Sequence, residues 1–253
     1  MTVVQGTIAA EARLRWLTQK LEADGAVTIA QAAAALDVSD MTIRRDLGEL
    51  EERGVARRVR GGARAVGPQS FAARHDRAGR AKSRIASKLV DLVPSAGAIA
   101  FDASSTVMRL SGTLRHARDL TILTNSPDTF GALQGQPGVT AVLTGGRLDP
   151  ETGSLVGPLA CRTASQLTVQ VLFASAAAID PVAGALETTL DEAEVKRSIA
   201  IGAGEVVLAV DATKLGGRAL AVGLDWERVD VLVTELDPTD RRLDPYRDLA
   251  QIL

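Results

Sequence analysis

From residue 98 onward, six short apolar runs recur, at 98–101, 120–124, 139–144, 171–174, 206–210 and 229–233, most of them separated by ten to twenty residues of helical periodicity. Strands this uniformly apolar are buried on both faces, so the pattern predicts a parallel sheet covered by helices, a doubly wound α/β domain. Such sheets bind ligands beyond the carboxyl ends of their strands. Small polar residues fall at those places. The first run is followed by Asp102-Ala103-Ser104-Ser105-Thr106 at the mouth of a predicted helix, where hydroxyls and backbone N–H groups can cradle phosphate. The second is followed by Thr124-Asn125-Ser126-Pro127, with Pro127 suited to a first helical turn. Thr144-Gly145-Gly146-Arg147 follows the third, then Gly153, Ser154 and Gly157, and Asp211-Ala212-Thr213-Lys214 follows the fifth. Any one of these clusters is what an ordinary turn or cap uses. Four at successive strand ends predict a single polar, phosphate-tolerant pocket.

The N-terminal third follows a different rule. Leu14, Leu17 and Leu21 recur at i, i+3 and i+7, predicting an amphipathic helix over 10–23 that Gly25 stops. Val27 and Thr28 are expected to open a second, alanine-rich helix over 29–36, and Asp37-Val38 turns into a third. Ser39 or Asp40 can cap that helix with a side-chain oxygen. Ile43, Leu47 and Leu50 share its buried face, Met41, Arg44, Arg45 and Gly48 point away, and Thr42 lies at the flank. Helix, helix, tight turn, helix is the helix-turn-helix arrangement, whose last helix enters the DNA major groove. An exposed Thr42-x-Arg44-Arg45 suits that place, because guanidiniums fork onto guanine edges and phosphates. Gly54 is expected to end the helix. Residues 55–66 then alternate around Gly61-Gly62, predicting a hairpin. Arg53, Arg57, Arg58, Arg60 and Arg64 fall here with no acid between them, so the hairpin would be a wing lying on phosphates. Asp46, Glu49, Glu51 and Glu52 are expected on the rear of the helix, pairing with wing arginines.

Charge is distributed to match. The net charge of −2 hides a basic stretch: residues 1–88 hold 16 Lys+Arg against 10 Asp+Glu, a net +6, and the rest hold 13 against 21, a net −8. A basic head on an acidic body fits a DNA reader joined to a sensor or assembly domain. Cys161 is the lone cysteine, which excludes an intramolecular disulfide, fits a reducing cytoplasm and predicts a small buried apolar residue. The start of the chain lacks the pattern of a secretory signal, and the longest apolar run, 171–179, is far below the ~20 residues of a membrane span. A cytoplasmic protein without membrane contact is expected. Residues 65–70 carry Gly67, Pro68 and Ser70 and suit a linker. Ile85, Leu89 and Leu92 then predict a helix ending at Pro94 and leading into the second domain. The expected organisation is a winged helix-turn-helix over 1–66, a linker and coupling helix over 67–93, and an α/β sensing domain over 94–253.

These residues also resemble a family. Val38-Ser39, Thr42-Ile43-Arg44-Arg45-Asp46-Leu47, Leu50-Glu51 and Gly54, followed by Arg58 and Gly61-Gly62-Ala63, are similar to the N-terminal signature of DeoR-type bacterial transcriptional regulators. The second domain resembles the DeoR sensor domain. The matching segments are Phe101 to Thr106, Thr124 to Ser126, Thr144 to Gly146, Gly184 with Glu194 to Arg197, and Val210 to Lys214; Phe71, Arg74, Lys82, Ile85 and Ala86 resemble the link between the two domains. The resemblance implies a fold related to ribose-5-phosphate isomerase and glucosamine-phosphate deaminase, and a regulator of sugar-catabolic genes whose effector is a phosphorylated sugar. Three positions depart from the family pattern. Arg60 stands where His is common, Ser104 and Ser105 stand where Gly and Thr are usual, and 174–180 lacks the usual glycine.

Two other readings remain. Asp191, Glu192, Glu194 and Lys196 resemble the acid–base equipment of a sugar-phosphate isomerase, although they also read as the first turns of an ordinary helix, with Glu192 and Lys196 an exposed i, i+4 pair. A DNA-binding protein that answers to no metabolite is the third reading. No Ser/His/Asp set and no metal-ligand spacing is present, so neither catalytic residues nor a metal or cofactor is expected. The expectation is a repressor that binds an operator duplex as a homodimer or higher even homo-oligomer. Ser39, Met41, Thr42, Arg44, Arg45, Arg57, Arg58 and Arg60 are expected on DNA. Asp102, Ser104, Ser105, Thr106, Asn125, Ser126, Gly145, Gly146, Lys196, Asp211 and Lys214 are expected on the effector.

Overall fold

The computed structural model of the chain describes residues 2–53, 55–65 and 78–253, with the side chains of 2–9, 22 and 23 left aside. The chain divides into two compact units, residues 1–77 and 78–253. Of the linker candidate over 65–70, Ala65 ends a strand; Gly54, residues 66–70, and Phe71 and Arg74 of the link lie outside the described residues.

In the first unit, α1 (Thr2–Asp24) starts well before the expected residue 10. It ends at Gly25, whose φ of +68° suits glycine and whose N–H reaches the Leu21 carbonyl at 2.7 Å. The second helix spans 29–36 as expected, with Thr28 at its start, but Val27 and Thr28 themselves are not helical. They form a short strand, β1 (Ala26–Thr28), and Thr28 then caps α2 (Ile29–Leu36) by accepting the Gln31 N–H. The reason is a partner the local sequence does not announce: β1 pairs with β3 (Gly62–Ala65), which pairs with β2 (Ala56–Val59), giving the order β1-β3-β2. Ser39, of the two candidate caps, holds α3 (Asp40–Glu52), its hydroxyl accepting the Thr42 N–H at 3.3 Å. Leu14, Leu17, Leu21, Ile43, Leu47 and Leu50 close the core as their spacing predicts. Gly62 is required by a close approach. A Cβ there would stand 2.0 Å from the Val27 carbonyl oxygen. Gly62→Ala is therefore expected to displace β3 from β1 and cost about 1–3 kcal/mol, measured by urea unfolding of the full chain. Wild-type stability would show that the strands part freely.

The second unit is built on seven parallel strands. These are β4 (Ala96–Phe101), β5 (Asp119–Thr124), β6 (Val139–Leu143), β9 (Val169–Ala174), β12 (Ala203–Ala209), β14 (Val231–Val233) and β15 (Gln251–Ile252). Their order is β15-β14-β12-β9-β4-β5-β6, every pairing parallel. β15 was not expected. Successive residues enter opposite cores, as in β4, where Ala100 packs on one face and Ile99 and Phe101 on the other. Phe101 meets Phe173 edge to face, with ring centroids 5.6 Å apart. On that face lie α4 (Gly79–Leu89) and α5 (Pro127–Leu133); on the other lie α6 (Pro158–Ser165) and α7 (Leu190–Ile201). The helix expected to couple the domains is α4, and its Ile85 and Leu89 are fully buried in the core of the second unit. Two smaller sheets were not expected: β7 (Arg147–Leu148) with β8 (Leu155–Val156), and β10 (Ala178–Asp180) with β11 (Gly184–Glu187) and β13 (Ala221–Leu224). The helix expected after the first strand is a 3-10 segment, Val107–Gly112. Cys161 is half-buried against the core.

The chain folds outward in two directions from one place. β4, β5 and β6 run one way across the sheet, and β9, β12, β14 and β15 run the other. The strand order reverses between β4 and β9, where doubly wound sheets form their ligand crevice.

Candidate DNA-reading face and effector site

On α3 the buried stripe of Ile43, Leu47 and Leu50 fixes which residues face outward. Met41 is 74% exposed, and Arg44 and Arg45 are exposed beside half-buried Thr42. The Thr42 hydroxyl is 3.0 Å from that of Ser39, so Ser39 holds the helix start. Among the described residues, no side-chain partner neutralises Arg44, Arg45, Arg57 or Arg60. Arg58 is held otherwise: its backbone N–H donates to the Glu51 carboxylate at 2.8 Å, and its guanidinium lies 3.9 Å from the same group. The expected pairing of rear acids with these arginines holds for Glu51, with Arg58, and for Glu49, with Arg53. Asp46 is taken by Arg13 of α1 through a two-pronged contact at 2.8 and 3.2 Å.

The second site lies at the switch point. Asp102 follows β4 and Ser175 follows β9, and one Asp102 carboxylate oxygen, Oδ2, accepts both the Ser175 N–H and the Lys196 ammonium at 2.8 Å. Its other oxygen, Oδ1, accepts the Ser104 N–H at 3.0 Å. Lys196 Nζ also donates to the Ser175 carbonyl and stands 2.6 Å from Glu187 Oε1. The ammonium is thus held by two hydrogen bonds and by an ion pair with Glu187, whose Oε1 has no hydrogen-bond partner among the described residues. Burial alone would lower the Lys196 pKa; the charges of Asp102 and Glu187 outweigh burial and hold it above the usual lysine value. Burial pushes Glu187 upward, Lys196 opposes, and the carboxylates of Glu192 and Asp102 add to the rise. Gly223 leaves room for the pair, since a Cβ there would be 3.2 Å from Glu187 Cγ and 3.4 Å from Lys196 Cδ.

The expected exposed pair of Glu192 and Lys196 is not formed. Both are buried, and Glu192 accepts the Ser154 hydroxyl while Lys196 turns to Asp102 and Glu187. Glu187 and Ser175 were missed in the sequence. Of the other expected residues, the Ser104 hydroxyl accepts the Val107 N–H at the start of the 3-10 segment, and Ser105 accepts the buried Lys82 ammonium at 2.9 Å. Thr106 is buried beside them. Asn125 donates to the Leu155 carbonyl, and its own oxygen is buried with no hydrogen-bond partner among the described residues. Ser126 caps α5. Gly146 serves packing: with φ at +118°, a Cβ would meet the Val156 carbonyl oxygen at 2.8 Å. Gly145 has φ at +73° and only the Leu159 side chain near its absent Cβ. Asp211 caps the turn ahead of half-buried Lys214, after β12.

Asp102, Ser104, Ser105 and Lys196 thus come together with Ser175, Glu187 and Lys82 around one loop. Asn125 and Ser126 stand after the neighbouring strand.

Residues 13–69 match the DeoR-like helix-turn-helix domain, and residues 77–236 match the DeoR C-terminal sensor domain. The chain belongs to the DeoR family. The HTH-type transcriptional regulator GolR of Listeria innocua is 31% identical over 219 residues, covering 85% of this chain and 86% of the relative. The lactose phosphotransferase system repressor of Staphylococcus epidermidis is 28% identical over 237 residues, covering 91% and 94%. The glycerol-3-phosphate regulon repressor of Escherichia coli is 27% identical over 225 residues, covering 88% and 89%. These DeoR relatives are regulators and repressors, and this chain is a transcriptional regulator, not an enzyme. Ribose 5-phosphate isomerase from Plasmodium falciparum overlaps with a TM-score of 0.36 at 15% identity, over 53% of this chain and 51% of that one, and no site is transferred from it. Among the described residues no helix is long and apolar enough to cross a membrane.

Proposed function

We propose that this DeoR regulator represses carbohydrate-catabolic genes in the cytoplasm, and that a phosphorylated sugar bound beyond the switch point alters its grip on an operator. The observation that carries the sensing half is the buried Asp102–Ser175–Lys196 cluster where the strand order reverses, with the unpartnered Asn125 oxygen at the next strand end. A buried acceptor without a donor is costly, and a sugar hydroxyl satisfies it. On the other side of the loop the Lys82 ammonium donates to the Ser105 hydroxyl. On the DNA side, α3 offers Thr42, Arg44 and Arg45, and the wing offers Arg57 and Arg60. The working form is a homodimer or a higher even assembly, because operators mirror a two-fold axis.

The test uses the full chain, a duplex selected from a random pool, and a panel of phosphorylated sugars beside their unphosphorylated parents. One phosphosugar is expected to raise the unfolding midpoint, adding ~2.7 kcal/mol at ~100 Kd, and to change duplex binding. Emptying an occupied operator takes roughly 10⁴-fold preference between two conformations. If no phosphosugar changes either readout, the sensing half of this reading is wrong; if no duplex is selected, the DNA half is.

A further inference from the structure

Of the twelve residues of α7 only Leu190, Glu194, Arg197 and Ile201 are exposed. Their spacing of i, i+4, i+7 and i+11 keeps them on one face, a narrow stripe of the kind that paired helices use as a seam. The ends of the stripe are apolar and open, Leu190 at 68% and Ile201 at 74% exposure. Its centre is an ion pair, with Arg197 Nη2 standing 2.5 Å from Glu194 Oε2. Beside the stripe runs β13, the edge strand of its small sheet. Arg197 donates to the Val222 carbonyl, and a Cβ at Gly223 would stand 3.4 Å from Lys196 Cδ, so strand and helix present one surface. Leu220, just before β13, and Val222 within it add exposed apolar area. Among the described residues of the second unit nothing covers this surface, and it lies on the face of the large sheet opposite α4. Four open apolar side chains around one ion pair form a patch that suits association.

The stripe is also symmetric along the helix. Residues 190 and 201, and residues 194 and 197, share one midpoint between 195 and 196. An antiparallel copy of α7 crossing there about a two-fold axis sets Leu190 against the partner subunit's Ile201. It also sets Glu194 against the partner subunit's Arg197, once on each side of the axis. A two-fold contact has to be self-complementary in this way, and facing opposite charges fix its register. A stable dimer buries about 800 Å² on each partner, more than one helical stripe supplies, and Leu220 and Val222 widen the contact on the β13 side.

We propose that a second copy of this chain docks on the α7–β13 face through an antiparallel pair of α7 helices, with Glu194 and Arg197 bridging between copies. The inference rests on the even assembly of the proposed function and names its surface.

Sedimentation of the full chain over a dilution series is expected to show an even assembly. Leu190→Glu with Ile201→Glu, at the two ends of the stripe, should halve it. Glu194→Arg sets arginine against arginine across the axis, and Arg197→Glu sets glutamate against glutamate. Each alone should weaken association roughly tenfold or more. Mixed in equal amounts, the two charge variants regain opposite charges at both contacts and should associate with each other as tightly as wild type does with itself. Neither chain regains its internal ion pair on mixing, so a purely structural role for Glu194 or Arg197 would give no recovery. All four positions are exposed, so the fold survives the substitutions, checked by far-ultraviolet circular dichroism. A monomeric wild type overturns this proposal together with the even assembly. A glutamate double variant that assembles unchanged, charge variants as tight as wild type, or charge variants that do not recover on mixing overturn the α7 face alone and leave the even assembly standing.

Discussion

Lys196→Met is expected to destabilise the second domain by about 3–5 kcal/mol. The substitution keeps the length of the side chain and removes the cation that Asp102 and Glu187 share, at a position only 5% exposed. Two carboxylates then lie buried and near each other without compensation. The pH dependence identifies the cause. Glu187 already binds its proton more tightly folded than unfolded, because burial raises its pKa and its two carboxylate neighbours add to the rise. A raised acid contributes stability below its unfolded pKa and loses it as pH rises through the folded value. Without Lys196 to oppose the rise, that loss grows, so the variant's defect is expected to be larger at pH 8 than at pH 5. Urea unfolding at both pH values measures it. Replacing Glu187 by Leu in the same chain should recover part of the loss, because one buried carboxylate, Asp102, is then stranded in place of two. An equal defect at both pH values with no recovery would show that Lys196 acts by packing alone.

The same cluster shows how far the sequence carries. Asp102 could be placed in a pocket because it follows a strand end in an alternating α/β pattern, and pattern is what periodicity reports; Lys196 is placed there by the resemblance to the DeoR sensor domain. Glu187 could not be placed. It ends a short strand, β11, whose partners β10 and β13 come from separate stretches, and nothing local marks Gly184 to Glu187 as part of a sheet. The same non-local pairing hid β1, since Val27 and Thr28 become a strand only when the wing supplies β3. Helix periodicity located α2 and α3 well because their buried faces are written in consecutive turns. It failed for Glu192 and Lys196, whose i, i+4 spacing looks the same whether the side chains reach solvent or turn inward to Ser154 and Asp102. Nothing local announces that Gly146 also lets the Val156 carbonyl approach.

The largest effect on function is expected at α3. Arg45→Ala should cost ~1–3 kcal/mol of binding to the selected duplex and relax discrimination at one base position, and Arg44→Ala should do the same at a neighbouring one. Both guanidiniums are exposed on a helix whose register is fixed by three buried residues, so truncation removes a contact without disturbing the fold. Arg57→Ala and Arg60→Ala should behave differently, weakening all duplexes alike and lowering the salt slope by about one each. Arg58 separates the two classes. It was expected on phosphate with its neighbours, yet its backbone and guanidinium both turn to Glu51, and its Nη1 would lie 3.7 Å from a Cβ at Gly48 on α3. An arginine already paired releases fewer counterions on binding, so Arg58→Ala should change the salt slope least of the three. Anisotropy titrations at several salt concentrations decide the matter. A full unit lost at Arg58, with none at Arg57, would mean that the wing meets DNA by its opposite face and that the Glu51 contact breaks on binding.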